Sequence, residues 1–335
     1  MKNLRTNKIL YAYIIGISAL PLALLLGTML GSTGVIGLGD ILRFIFSGSE
    51  TAEYKIFLYV RLPRVIASIL CGGALAVSGA VIQGVLANKL ASPGIIGVNS
   101  GAGLAVTIAA SLGLIGGYAT SAFAFLGAFF AVITVSFASK KWSASGGTLI
   151  LIGVALNSLL GAISDIIITF IPEISIMTND FKIGDFSSVT PARLIAPLVL
   201  ILGSLAVLLT ISNELEILTL GENNAISLGL NTSFYRTLFL ILAALLAGSA
   251  VSIAGLLSFV GLIVPHAVRL FCGTRSKHLI ALCALYGASF VSICDTASRL
   301  IFAPYEVPVG IIMSIIGAPS FIIILLRAKG GRMRA

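Results

Sequence analysis

Charge is scarce in this chain. Asp, Glu, Lys and Arg make up 10% of its 335 residues, against about 25% in an ordinary soluble domain. A water-soluble fold of this length needs far more charge on its surface, so that class is excluded. Histidine is scarcer still: His266 and His278 are the only two, which leaves little from which to build catalysis on imidazole. The chain has no G-x-x-x-x-G-K-[ST], so it binds no ATP through a P-loop. It also has no H-E-x-x-H, no Cys/His cluster at metal spacing and no G-x-S-x-G elbow. The four cysteines, Cys71, Cys272, Cys283 and Cys294, contain no C-x-x-C pair and read as small packing residues. Acidic residues inside apolar runs are few, Asp165 and Asp295 being the clearest. An ion-coupled secondary transporter, the alternative among transport proteins, normally needs several such groups near the membrane midplane.

What is present is apolar length. Hydrophobic residues make up 58% of the chain and the mean hydropathy is +1.11. Apolar stretches bounded by turn residues give about ten candidate spans, at 9–31, 64–86, 94–112, 118–138, 148–170, 192–211, 234–253, 255–271, 279–302 and 308–327. The first is long enough to cross about 30 Å of hydrocarbon at about 1.5 Å per residue. No small-x-small cleavage site follows it, so it reads as an uncleaved span. The eighth is short and interrupted by Pro265, His266 and Arg269; it reads as a broken or partly re-entrant helix. The expected fold is therefore all-α: a single polytopic transmembrane bundle over residues 1–335. With the N-terminus inside, 14 of the 21 Lys and Arg residues fall on inner segments, which favours both termini in the cytoplasm.

Small residues recur at helical spacing. Ser68, Gly72, Ala76, Ala80 and Gly84 form a ridge every four residues in the second span, the device by which helices approach closely in lipid. Ala244, Gly248 and Ser252 repeat it in the seventh span, and Ala284, Ala288 and Ser292 in the ninth. Asp295 and Arg299 lie four apart, so they can pair on one helix face. The longest inner loop, 212–235, can form two short helices stopped by Gly221 and Gly229. Its apolar residues suit docking to a soluble partner, and it has no cation before Arg236 to hold it on anionic lipid.

A resemblance adds to this reading. Arg-Leu-Pro-Arg at 61–64, Gly-Ala-Leu-Ala-Val-Ser-Gly at 73–79, Gln83 and Asn-Lys-Leu-Ala-Ser-Pro-Gly at 88–94 resemble the membrane subunit of ABC importers for iron-siderophores, haem and cobalamin. So do Phe-Val-Gly-Leu-Ile-Val-Pro-His-Ala-Val-Arg at 259–269, Glu306-Val307-Pro308-Val309-Gly310 and Gly317-Ala318-Pro319-Ser320-Phe321. The resemblance implies a non-catalytic pore subunit in the plasma membrane of a bacterium. It implies pairing with a second permease subunit, identical or paralogous, above two cytoplasmic ATP-binding subunits and below an extracytoplasmic substrate-binding protein. No cofactor is then expected on this chain; the partner ATPase uses ATP and magnesium. Lipid is the surrounding partner, and no nucleic acid is expected.

The same resemblance implies roles for individual residues. Asn224, Ala225, Ile226, Ser227, Leu228, Gly229 and Leu230 would form the element that inserts into the ATPase. Arg61, Arg64 and Arg299 would pair with acidic residues of the binding protein. Asn88, Leu90, Ser145, Gly146 and Gly147 would form the inner gate, with Gly153 on the pathway wall. The chain departs from the family's pattern at Lys89, where proline is common, which implies a more flexible gate loop. Iron-siderophore is the expected cargo, with haem and cobalamin the other family cargoes.

Overall fold

The computed structural model of the chain describes residues 2–32, 34–47, 51–114, 116–141, 146–273 and 275–332. Long apolar runs set its architecture. With no water to satisfy the backbone, a segment in hydrocarbon keeps its hydrogen bonds internal, and a helix does so within one segment. The order begins with α1 (Lys2–Met29), a two-residue ribbon in which β1 (Leu30–Gly31) pairs antiparallel with β2 (Gly34–Val35), α2 (Leu38–Ser47) and α3 (Ala52–Ile56). A π turn at Phe57–Arg61 leads without a break into α4 (Leu62–Val85). There follow α5 (Val98–Ser111), α6 (Gly117–Lys141), α7 (Gly146–Phe170), α8 (Ser175–Ile183), α9 (Pro191–Thr210), α10 (Ser212–Leu218) and α11 (Glu222–Ser227). The chain closes with α12 (Thr232–Ala254), α13 (Val260–Cys272), α14 (Ser276–Leu300) and α15 (Val309–Arg332).

Among the described residues, seven helices are long and apolar enough to cross a membrane, including one continuous rod over Ala52–Val85. Three shorter apolar helices, Val98–Ser111, Val260–Cys272 and Val309–Ile323, accompany them. Each of the ten apolar runs in the sequence falls on one of these ten helices. The two shortest follow irregular backbone. A 3-10 turn at Pro93–Ile96 precedes α5, and residues 255–259 precede α13, ending at Phe259 with φ of 67°. Such backbone is tolerated at membrane depth where protein buries it.

The core is made by α4, α12 and α14, which are mostly buried, while α1, α7 and α9 are mostly exposed on the isolated chain. Small residues bring the core helices together. A Cβ at Gly72 would collide with the carbonyl oxygen of Gly287 on α14, and one at Gly79 with that of Gly261 on α13. At Gly72 on the ridge of α4, and at Gly79 beside it, backbone therefore meets backbone, as packing in lipid favours. Ser78 Oγ donates to the Ala243 carbonyl across the α4–α12 contact at 2.8 Å. All four cysteines are buried thiols.

Candidate functional site

The bundle has two polar ends. At one, which carries α10 and α11, the side chain of Leu215 packs against Gly84 at the end of α4. Glu216 Oε2 accepts from the Ser276 N–H at the start of α14, 3.2 Å away. Tyr13 and His278 hydrogen-bond at 3.0 Å, tying α1 to the same end. A cavity of about 700 Å³ opens here between α4, α10, α13 and α14. Gly221 (φ 95°) and Gly229 (φ 81°) adopt left-handed backbone on either side of α11, a conformation costly for any residue with a Cβ. Ala225 is fully buried, whereas Ile226 and Leu228 are 56% and 62% exposed. Glu222 and Arg236 form an ion pair at 3.0 Å that fastens α11 to α12. The seven residues 224–230 thus divide. Asn224, Ile226, Ser227, Leu228 and Gly229 face outward, and Leu230 is half-buried. Ala225, expected to insert into a partner, instead anchors α11 to its own chain.

At the opposite end the three arginines are beneath the surface. Arg61, Arg64 and Arg299 are 5%, 4% and 2% exposed. Arg61 donates to the carbonyls of Met29 (2.7 Å) and Gly34 (2.8 Å), and Arg299 to those of Gly27 and Leu30, both at 3.0 Å. The last carbonyls of a helix have no partner within it and carry partial negative charge, so these two guanidiniums cap α1. Arg64 is the hub of an ion network. It bonds Asp295 at 3.0 Å and Glu306 at 2.6 Å, and lies 3.7 Å from Asp185. Arg299 also pairs with Asp295, at 3.3 Å. The expectation that these three cations face an acidic partner is therefore corrected. They sit on this chain's own carbonyls and carboxylates, because charge taken out of water must be paired where it lies. Glu306 remains exposed. Burial raises its pKa, but the Ser32 hydroxyl and Arg64 more than offset that and hold the carboxyl below its ordinary range.

Beside the α10–α11 end, α7 joins the loop that follows α4. A Cβ on Gly146 would stand 2.5 Å from the Leu86 carbonyl oxygen, and one on Gly153 would collide with that of Ile95. Asn88 and Leu90 lie in this loop, with Asn88 Oδ1 accepting from the Leu90 N–H at 2.9 Å. Leu90 and Gly147 are exposed, and Gly146 is half-buried. Ser145 lies outside the described residues. Gly153, expected on a pathway wall, is buried; its lack of a side chain lets α7 meet the 93–96 turn. Its larger apolar neighbours Leu151, Val154 and Leu159 are among the exposed residues of α7. Sequence reasoning missed Asn157, which bonds this turn directly. An amide inside an apolar span, opposite a proline-containing turn, is the signal that marks it.

A bundle of long apolar helices with a short amphipathic element at one end and an ion network at the other is a multi-pass membrane protein. The FecCD transport family model matches residues 19–327, and the chain belongs to that family. It is 38% identical to an uncharacterized ABC transporter permease protein, YvrB, of Bacillus subtilis, with 98% of this chain and 97% of that one covered. It is 35% identical to the hemin transport system permease protein HmuU of Yersinia pestis, covering 93% and 95%. It also superposes on an inward-facing metal-chelate type ABC transporter with a TM-score of 0.80, 27% identity and coverage of 96% and 99%. The chain is thus a multi-pass membrane protein and an ABC importer permease.

Proposed function

We propose that the chain forms half of the translocation pathway of an ATP-driven importer for an iron chelate, with the α10–α11 end in the cytoplasm. The observation that carries the reading is the exposed apolar pair Ile226 and Leu228 on α11, held in place by buried Ala225 and the Glu222–Arg236 ion pair. In water that surface is unfavourable; covered by a groove on a soluble ATPase it becomes a docking anchor. ATP and magnesium are used by that partner, since this chain carries no P-loop. A second permease subunit completes the pathway against the exposed face of α7. A ligand-carrying protein docks at the arginine end, where Arg61, Arg64 and Arg299 keep the docking surface in shape. Asn88, Leu90, Ser145, Gly146 and Gly147 form the inner gate. The hemin-transport and iron-uptake relatives support an iron-bearing cargo, and cobalamin, named for other relatives at 34–37% identity, is the alternative.

Asp295 is neutralised by Arg64 and Arg299, which argues against an ion-coupled pump using it as a proton carrier. The decisive experiment replaces both apolar residues, Ile226→Glu with Leu228→Glu. The membrane-inserted protein should persist and its co-purification with the ATPase should be lost; undiminished association would sink the proposal.

A further inference from the structure

The most exposed long helix, α7, has three buried residues, Leu149, Gly153 and Ser164. Between the last two lies Asn157, whose amide Nδ2 donates to the carbonyls of Gly94 at 2.9 Å and Ile95 at 3.2 Å. Its Oδ1 accepts from the hydroxyl of Ser100 in the first turn of α5. The 93–96 turn is a short 3-10 segment among apolar helices, where a carbonyl left without a partner is costly. One side chain therefore does two things. It satisfies the turn, and it fixes α7 to the loop from Leu86 to Gly97 at a point next to the Gly153–Ile95 contact. The Gly146–Leu86 approach makes a second attachment eleven residues before Asn157, at the start of α7.

We infer that Asn157 is a positioning residue that locks the gate loop at 88–90 to the start of α7, so that both sides of the gate within one subunit move as a single body. Opening then separates this body from its counterpart in the second pore half, and the 88–90 loop stays with residues 146–147. The inference rests on the gate reading given above. In the assembled transporter, reconstituted with its ATPase and second permease subunit, spin labels at positions 90 and 147 should keep one separation in the nucleotide-free and ATP-trapped states. Asn157→Leu, which loses all three bonds, should make that separation state-dependent. Asn157→Asp, which keeps an acceptor for Ser100 but cannot donate to the carbonyls, should do the same. Both variants should continue to hydrolyse ATP while cargo moved per ATP falls at least tenfold.

A wild-type separation that changes between states overturns the inference, as does normal cargo movement per ATP in both variants. The gate reading fails separately, if labels at 90 and 147 are equally accessible from the cytoplasmic side in every state.

Discussion

Arg64, Asp295 and Glu306 show how residue-scale chemistry shapes this protein. Their segments lie far apart in the chain, with 231 and 242 residues separating Arg64 from its two partners. No spacing in the sequence announces that meeting. The sequence placed the arginines at one end through the apolar boundaries, and it showed Asp295 and Arg299 as a pair four residues apart. Burial and the capping of α1 by Arg61 and Arg299 required the fold. Removing one partner of a buried ion pair leaves the other uncompensated. Asp295→Ala should therefore cost about 3–5 kcal/mol, read as a lowered Tm of the purified protein in detergent. Glu306 gives a pH signature. Its folded pKa is depressed, so the stabilisation is complete above the carboxylate's ordinary value of 4.5 and is lost as pH falls through the lower folded value. Glu306→Gln should lower Tm near neutrality and flatten the acid limb of a Tm-against-pH profile below pH 4.5. An acid limb as steep as in the parent would contradict the assignment.

Secondary elements divide by what made them legible. The ten long apolar runs were visible because hydrophobic length is a direct readout of the membrane. Gly221 and Gly229 marked the edges of α11 for a steric reason: both positions require positive φ. By contrast α2, α3 and α8 lie outside the apolar runs, and each is too short to read as a span. The small-residue ridge on α4 was readable, but its partners were not, since a repeat of four says only which face is smooth. The structure sets the ridge residues Gly72 and Ala76 against Gly287, and Gly84 against Leu215. Gly72→Leu should force α4 and α14 apart, costing about 1–3 kcal/mol or more as overpacking and reducing the yield of folded protein. Gly203→Leu on α9, where a Cβ meets nothing within 4 Å, serves as the control and should behave like the parent.

At the scale of the whole molecule, α4 and α14 run side by side from the loop end to the arginine end. At the loop end they hold α10, through Gly84 and Ser276; at the other they hold the ion network. The proposed orientation makes a direct prediction. A cysteine at Lys55 should react with an impermeant thiol reagent added to intact cells from outside. One at Glu222 should react only after the membrane is opened. The reverse pattern would reject the orientation.

The rod at Ala52–Val85 carries a consequence for delivery. Its 34 residues reach about 51 Å at 1.5 Å per residue, while the hydrocarbon layer is about 30 Å thick. With the loop end near the inner boundary, roughly 20 Å of helix, the π turn included, stands above the lipid as a pedestal. Under the proposed function, a carrier docked at this end would rest on a raised rim of protein rather than among phospholipid headgroups. Its cargo would then enter the pore from that height, without crossing the interfacial layer.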